Sequence, residues 1–225
     1  MDEIRLIEVK EDILADNNRL ADELRTRLKE KGTLLINIMS SPGSGKTSLI
    51  LKTIDALGED IRLGVIEADI ESKVDAEKVS LRGVPVVQIR TGGFCHLDAN
   101  MVNQGLEAME QHTVDVLMIE NVGNLVCPAE FDTGAHKNVM ILSVPEGDDK
   151  PLKYPLMFSV CDVLLINKID YLALADFDGE ALRRHVFALN PTIKIFEVSC
   201  KTGEGIPDWA AWLREQREAF VKEWS

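Results

Sequence analysis

The segment SSPGSGKTSLI, residues 40–50, follows an apolar run and has the residue types of a phosphate-binding loop. In the pattern G-x-x-x-x-G-K-S/T, Gly45, Lys46 and Thr47 fill the last three fixed positions, and Ser40 stands where the first glycine is usual. The glycines let backbone amides turn toward phosphate oxygens, while Lys46 reaches the terminal phosphates and the Thr47 hydroxyl can hold Mg²⁺. A glycine-rich turn without a ligand is the alternative. The predicted nucleotide contacts are Pro42, Gly43, Ser44, Gly45, Lys46, Thr47 and Ser48.

Two later segments could recognise the base of a bound nucleotide. The motif NKID contains Asn167, Lys168 and Asp170 and closes an apolar run. An aspartate carboxylate can accept hydrogen bonds from both the ring N–H and the exocyclic amino group of guanine, whereas adenine offers no such pair. Taken alone, the motif could be a strand end with turn-forming residues. The segment VSCKTGEG resembles the Ser-Ala-Lys loop that supports guanine in GTPases, and its corresponding residues are Ser199, Cys200 and Lys201.

Acidic residues at two further strand ends are candidates for the hydrolytic centre. Asp69 directly follows one apolar run, and we expect it to hold Mg²⁺ or to orient the attacking water. Glu120 and Gly123 form E-x-x-G in place of the D-x-x-G of Ras-like GTPases, so we expect Glu120 to act at Mg²⁺ through a water and the Gly123 amide to sense the γ-phosphate. Lys46 is assigned to transition-state charge. Helix caps or solvated turns remain the alternative, and Asp75 is a second candidate that could simply face solvent.

A third group combines soft metal ligands from two loops. Cys95 and His96 adjoin after Gly92 and Gly93, and Cys127 follows the next predicted strand. Because parallel strands end at one edge of a sheet, we expect both loops to emerge beside the phosphates. Two thiolates and an imidazole suit zinc or nickel, and three ligands leave a position open. A loop cysteine beside a histidine with no metal is the alternative.

The elements that would position these residues can be recognised from hydrophobic patterns. Seven apolar runs alternate with helical stretches, which predicts a three-layer α/β P-loop fold with a mostly parallel, about seven-stranded sheet whose strands are buried on both faces. Residues 1–31 predict an amphipathic helix, periodic from Ile4 to Lys31, that packs on one GTPase domain spanning residues 32–225. The last helix is expected from about Asp208 to Trp224. The predicted strand runs are TLLINIM, IRLGVIEA, VPVVQI, VDVLMIE, NVMILSV, DVLLIN and TIKIFEV.

The composition excludes several classes of partner. A net charge of −13 would repel nucleic acid and anionic membranes, and no apolar run is long enough to cross a bilayer. The first residues lack the layout of a signal peptide, so we expect a cytoplasmic protein. Four cysteines in a reducing compartment favour metal, catalytic or core roles over disulfides, and Cys161 at the head of an apolar run is expected in the core.

Six segments together closely resemble the HypB family, SIMIBI-class P-loop GTPases of nickel insertion into nickel-iron hydrogenase. The resemblance implies slow hydrolysis of GTP to GDP, a nucleotide-dependent homodimer, and a nickel or zinc site of Cys95, His96 and Cys127 near the dimer interface. It also implies cooperation with a HypA-type metallochaperone and a hydrogenase large-subunit precursor, and that Lys150 and Lys153 reach nucleotide across the dimer. The segments are SSPGSGKT, GGFCHLDA, ENVGNLVCPAEFDTGAHKNV, EGDDKPLKYP, NKIDY and SCKTGEG.

Some family members carry an N-terminal cysteine motif or a histidine-rich tract, and this sequence has neither, so we expect no additional nickel-storage site. Three other functions remain open from the residues. A urease-assembly GTPase would carry a Cys-Pro-His motif in one loop, a small-molecule P-loop kinase would not need NKID, and a zinc-stabilised interaction module would not need an intact phosphate loop.

Overall fold

The structure is a computed structural model that describes residues 9–70 and 73–223. Its strands are β1 Leu34–Ser40, β2 Leu63–Asp69, β3 Val86–Arg90, β4 Val116–Glu120, β5 Lys137–Ser143, β6 Val163–Asn167 and β7 Lys194–Glu197. Across these residues they form one all-parallel sheet in the order β3-β2-β4-β1-β5-β6-β7. All seven predicted strands are confirmed, with ends within two residues of the predicted runs. The prediction that every strand is buried on both faces is wrong for β3 and β7, which are half-exposed because they lie at the sheet edges.

Helices cover both faces of this sheet, which gives the predicted three layers. The side chains of β1 alternate, so that Leu34, Ile36 and Ile38 pack with α2 and α9, while Leu35 packs with α1 and α4. A third cluster joins β5 and β6 to α7 and α8 and contains Cys161, which is buried as expected. The helices are α1 Val9–Glu30, α2 Lys46–Leu57, α3 Val74–Ser80, α4 Ala99–Ala108, α5 Cys127–Glu130, α6 Lys150–Lys153, α7 Pro155–Val160, α8 Gly179–Leu189 and α9 Ile206–Lys222, with 3-10 turns at Val144–Glu146 and Ile169–Leu174.

The last helix, α9, packs its aromatic side into the core, as its sequence predicts. Trp209, Trp212, Leu213 and Phe220 are all buried. The Trp209 indole Nε1 donates to Thr53 Oγ1 at 2.9 Å, which fixes α9 against α2. The predicted end of the helix at Trp224 lies outside the described residues.

The N-terminal helix α1 lies on the sheet beside α4. Leu24 and Leu28 are buried against this face, and Arg25 pairs with Asp132 in the segment before β5. The predicted start at Ile4, with residues up to Glu8, and the side chain of Ile13 lie outside the described residues. None of the helices within residues 9–70 and 73–223 combines the length and the apolarity that crossing a bilayer requires.

Parallel pairing brings the carboxyl ends of the strands to one edge, where the predicted functional residues lie. In the pairing register Glu120 of β4 stands opposite both Ile38 of β1 and Glu67 of β2. On the other side of β1, Ser143 of β5 stands opposite Asn167 of β6. Ligands of open α/β sheets bind at this edge, so the loops that follow these strands form the candidate site.

Candidate functional site

The phosphate loop connects β1 to α2 in a conformation that only glycine can adopt at its tightest point. Gly45 has φ of 109°, and a Cβ on it would lie 2.4 Å from the Asn167 side-chain nitrogen. Lys46 begins α2 and donates from Nζ to Ser40 Oγ at 3.2 Å, so the serine in the usual glycine position contacts the lysine. Burial lowers the pKa of Lys46, which nearby carboxylates partly oppose. Ser48 lies exposed in the first turn of α2.

The NKID segment is fastened to this loop by hydrogen bonds. The Asn167 side chain donates to Ser44 O at 2.8 Å, and Lys168 Nζ donates to Gly43 O at 2.8 Å. Lys168 itself has φ of 61°, in the left-handed region that non-glycine residues rarely occupy. The two predicted nucleotide-binding segments therefore form one connected surface.

The loop after β7 fixes the position of the Asp170 carboxylate. Ser199 Oγ donates to Asp170 Oδ1 at 2.7 Å, and Lys201 Nζ lies 3.7 Å from Oδ2. The Ser199 hydrogen bond is the largest of the effects that lower the pKa of Asp170, so the carboxylate is an acceptor at neutral pH. Cys200 contributes a backbone N–H to Asn167 Oδ1 at 3.3 Å, and burial raises the pKa of its thiol to about 11. The Cys200 side chain packs against the core, so its position is explained without a reactive role.

A group of three carboxylates lies on the other side of the phosphate loop. Oxygens of Glu67, Asp75 and Glu120 lie within 4.8 Å of one another, and Thr47 Oγ1 donates to Glu120 Oε1 at 2.8 Å. Burial raises the pKa of Glu67 to about 8 and that of Glu120 to about 7. The sequence assigned Asp69 to this position, yet in the described residues the group contains Glu67 and Asp75 instead. Glu67 and Asp69 lie on the same face of β2. Glu67 is two residues further from the carboxyl end of the strand, where it pairs with Glu120 of β4.

The donor atoms of this group fit a hard divalent cation. A hydroxyl and several carboxylate oxygens are the ligands that Mg²⁺ takes in phosphate-binding sites. Glu67 and Glu120 are only 2% and 4% exposed, and the Oε2 atom of each has no hydrogen-bond partner among the described residues. A buried carboxylate oxygen without a partner is costly, and a cation or its bound water would satisfy it.

Two contacts that sequence patterns did not assign connect the phosphate loop to its surroundings. Ser44 Oγ donates to Glu146 Oε2 at 2.6 Å, and the same oxygen accepts from the backbone N–H of Ser143 at 2.8 Å. Ser143 and Glu146 form a capping box at the 3-10 turn after β5, and their S-x-x-E spacing is its sequence signal. On the opposite side, Gly123 packs so tightly on the loop that a Cβ there would lie 3.0 Å from Pro42.

Asn121 joins the end of β4 to the loop that carries Cys95 and His96. Its Oδ1 accepts from the backbone N–H groups of Leu97 and Val122, and its Nδ2 donates to Asn37 Oδ1 at 3.0 Å. The residue is fully buried. The segment with Glu120 and Gly123 is thus tied to the neighbouring thiol-bearing loop.

The structure brings Cys95, His96 and Cys127 together. The two sulfur atoms are 2.9 Å apart, the His96 Nδ1 lies 3.9 Å from Cys95 Sγ, and all three candidate ligand atoms lie within 4.8 Å of one another. The His96 ring stacks on Phe131 at 3.8 Å, and burial lowers the pKa of His96, which favours the neutral imidazole that binds metals. The hydrogen bond with Cys95 raises the pKa of Cys127. Two sulfurs and one imidazole fit a thiophilic metal such as zinc or nickel.

Comparison with known proteins identifies the family. The family described as "CobW/HypB/UreG, nucleotide-binding domain" matches residues 34–197. Hydrogenase maturation factor HypB from Azotobacter chroococcum mcd 1 is 48% identical over 97% of this chain and 72% of the relative. The Escherichia coli K12 protein of the same name is 43% identical over 96% of this chain and 75% of the relative. The chain belongs to the HypB family.

A solved HypB structure shares most of this fold. Helicobacter pylori HypB in complex with nickel has a TM-score of 0.86 and 37% identity over 91% of this chain and 96% of that one. The predicted P-loop NTPase fold and the resemblance to HypB are therefore confirmed. As a member of the HypB family, this chain has the family's nucleotide-binding domain, and the phosphate loop and NKID segment described above lie within it.

Proposed function

We propose that this chain is a GTP-hydrolysing metallochaperone that assists nickel insertion during maturation of nickel-iron hydrogenase. The observation that carries the proposal is that the phosphate loop, the NKID segment and the thiol–imidazole group all lie at the carboxyl edge of one parallel sheet. HypB relatives are hydrogenase maturation factors, which supports this function over a small-molecule kinase or a plain zinc module. The proposed location is the cytoplasm.

In this proposal the guanine edge is read by Asp170 and enclosed by Asn167, Lys168 and the Ser199–Lys201 loop. The ion-paired, low-pKa carboxylate of Asp170 offers two acceptor oxygens to the two N–H groups of guanine. A nucleotide with adenine would leave these acceptors unsatisfied.

For hydrolysis, we assign each group beside the terminal phosphates a role. Lys46 stabilises the charge that develops on the transferred phosphoryl group, and the Gly123 amide responds to the γ-phosphate. Thr47 and Glu120 would hold Mg²⁺, with Glu67 and Asp75 in reach, and the cation would supply charge neutralisation on the phosphate oxygens. Asp69, at the very end of β2, orients the attacking water.

The cargo of the proposed chaperone is nickel, with zinc as the alternative ion. Cys95, His96 and Cys127 supply three donors and leave a position open for an incoming or departing ligand, as transfer requires. The nickel complex of Helicobacter pylori HypB, at 37% identity, supports this choice of cargo.

We further propose a nucleotide-dependent homodimer that works with a HypA-type metallochaperone and the hydrogenase large-subunit precursor. Exposed apolar side chains closely follow Asp170 along the chain, namely Tyr171, Leu172 and Leu174, and such patches commonly mark interfaces. Lys150 and Lys153 lie in α6, where Lys153 pairs with Asp149 at 2.5 Å. In the dimer these lysines would contact the partner's nucleotide.

The proposal is tested by measuring nucleotide binding and hydrolysis with Mg²⁺ present. Calorimetry should give an affinity for GTP at least about a hundredfold above that for ATP. Lys46→Ala should abolish phosphate release, whereas Lys222→Ala on the exposed face of α9 should not. Equal affinity for GTP and ATP would refute the GTPase assignment.

A further inference from the structure

The two cysteines of the metal-binding group also stand in near-bonding geometry with each other. The 2.9 Å between Cys95 Sγ and Cys127 Sγ exceeds a disulfide bond of about 2.05 Å by less than about 1 Å. The two residues lie in different loops, one after β3 and one at the start of α5, so each can adjust without moving a strand. Closing the remaining gap requires only small shifts of the two side chains.

We propose that Cys95 and Cys127 are a reversible thiol–disulfide pair, and that the disulfide form does not bind the metal cargo. A disulfide uses both sulfur donors, which leaves His96 as a single ligand. The chain would then release or refuse metal under oxidising conditions and regain its site on reduction. Formation of the disulfide does not depend on the proposed function, whereas the effect of the disulfide on metal cargo rests on that function.

The oxidant required is a peroxide, and the reaction balances with it. One thiol attacks hydrogen peroxide, so that the O–O bond breaks, a sulfenic acid forms and one water leaves. The second thiol attacks that sulfur, the S–S bond forms, and a second water leaves. The two thiols lose two electrons and two protons in total, and an external dithiol reverses the reaction by exchange.

The surroundings favour this pair over the other two cysteines. Cys95 and Cys127 are half-buried, and each follows an exposed apolar residue, Phe94 at 58% and Val126 at 50% exposure, so a small oxidant reaches them from solvent. Cys161 is 2% exposed inside the core beside Met157. Cys200 packs below the guanine-recognition loop on the other side of the sheet centre. Oxidation is therefore expected to be selective for one pair.

The sequence allows a direct test by mass spectrometry of the full-length protein. Residues 91–136 contain neither lysine nor arginine, so trypsin leaves both cysteines of the pair on the single peptide 91–137. After mild peroxide treatment, that peptide should be lighter by about 2 Da, for the two hydrogens lost, and dithiothreitol should restore its mass. Cleavage after Glu107 and Glu120 should then place Cys95 and Cys127 on separate fragments that remain linked until they are reduced.

Variants distinguish the proposal from other oxidation chemistry. Cys127→Ala and Cys95→Ser should each abolish the mass loss, whereas Cys161→Ala should behave like the parent chain. The proposal is overturned by a peptide of twice the mass, which would mean a bond between two chains, by added oxygen without mass loss, or by a link to Cys161 or Cys200.

The metal consequence has its own readout. Nickel affinity, measured by competition with a chromophoric chelator after peroxide removal, should fall by about tenfold or more in the oxidised chain and return on reduction. A confirmed disulfide with unchanged nickel affinity would overturn the exclusion of metal and remove these sulfurs from the proposed site. Absence of any disulfide, with nickel binding intact, would overturn only the redox inference.

Discussion

At the scale of single residues, the site depends on side chains that are held in place before any ligand arrives. Asp170 receives a hydrogen bond from Ser199, and Asn167 fills the space above Gly45 so closely that no Cβ fits. Recognition by such prearranged groups loses little conformational freedom on binding. The choice of base should therefore respond sharply to a change of one atom in Asp170.

Replacing Asp170 by asparagine exchanges one acceptor oxygen for an N–H donor. We expect the Asp170→Asn affinity for GTP to fall by about a hundredfold or more, because the amide cannot accept from both N–H groups of guanine. Xanthosine triphosphate, with a carbonyl in place of the exocyclic amino group, should bind the variant better than GTP. Calorimetry with both nucleotides measures this, with the exposed Asp176→Asn as control. An unchanged preference for GTP would mean that Asp170 does not contact the base.

Removing one sulfur from the thiol–imidazole group should weaken metal binding. In Cys127→Ala, nickel or zinc would keep two donors at most, and we expect the affinity to fall by about tenfold or more. Cys161→Ala is the matched control, since that thiol lies in the core away from the group. A chelator competition measures both proteins. Unchanged stoichiometry and affinity in Cys127→Ala would exclude this residue from the site.

Fixed spacings within single segments predicted the phosphate loop and NKID. The pairing of Cys95 with Cys127 was predicted because parallel strands end at one edge of a sheet, and the structure brings the two thiols together. Glu67 was missed, although a lone acid inside an apolar strand was a usable signal. Asp75 was only the second candidate for the hydrolytic centre. The direction of its side chain depends on how α3 packs after β2, and no spacing in the sequence encodes that packing. The contact of Glu146 with Ser44 spans 102 residues and depends on the pairing of β1 with β5.

At the scale of elements, β1, α1 and α9 meet at the half-buried His136, which directly precedes β5. His136 Nδ1 accepts from the backbone N–H of Leu35 at 3.0 Å, and its ring lies 4.6 Å from that of Phe220 in α9. Burial lowers the pKa of His136 from 6.5 to about 4. Three elements therefore meet around a histidine that must stay neutral.

Stability should fall as pH falls between about 6.5 and 4, because the unfolded chain binds a proton on His136 in that range and the folded chain does not. The full loss is on the order of 3 kcal/mol. His136→Gln keeps an acceptor and a donor but does not titrate, so we expect its free energy of unfolding to depend less on pH in this range. Carboxyls with raised pKa values, such as Glu67, act in the opposite direction in both proteins and cancel in the difference.

Urea unfolding at a series of pH values measures this difference. The exposed His112→Gln is the control and should keep the pH dependence of the parent chain. Identical pH dependence in His136→Gln and the parent would contradict the role given to this histidine.

The strands could be predicted because burial makes each a short β-branched run between polar segments, and all seven appear where such runs occur. The positions of β3 and β7 at the sheet edges could not be predicted, because crossovers between distant segments set the strand order 3-2-4-1-5-6-7. Apolar composition reports burial in general but not the number of neighbouring strands.

At the scale of the whole molecule, the two candidate sites share one structural connection. Gly123 packs on Pro42 of the phosphate loop, and two residues earlier Asn121 bonds to Leu97 in the loop of Cys95 and His96. A nucleotide that moves the segment after β4 would therefore move part of the thiol–imidazole group. Coupling of this kind is reciprocal, so metal should alter nucleotide affinity by the same factor.

The most direct test of the proposed function is a nickel titration of the chain loaded with GDP and with a non-hydrolysable GTP analogue, with molar mass followed by light scattering. We expect nickel affinity to differ by about fivefold or more between the two states, and dimer mass to appear with the analogue. Zinc, titrated in parallel, shows which ion responds to nucleotide. Equal nickel affinity and a single unchanged molar mass in both states would contradict a GTP-switched chaperone and leave two unconnected sites.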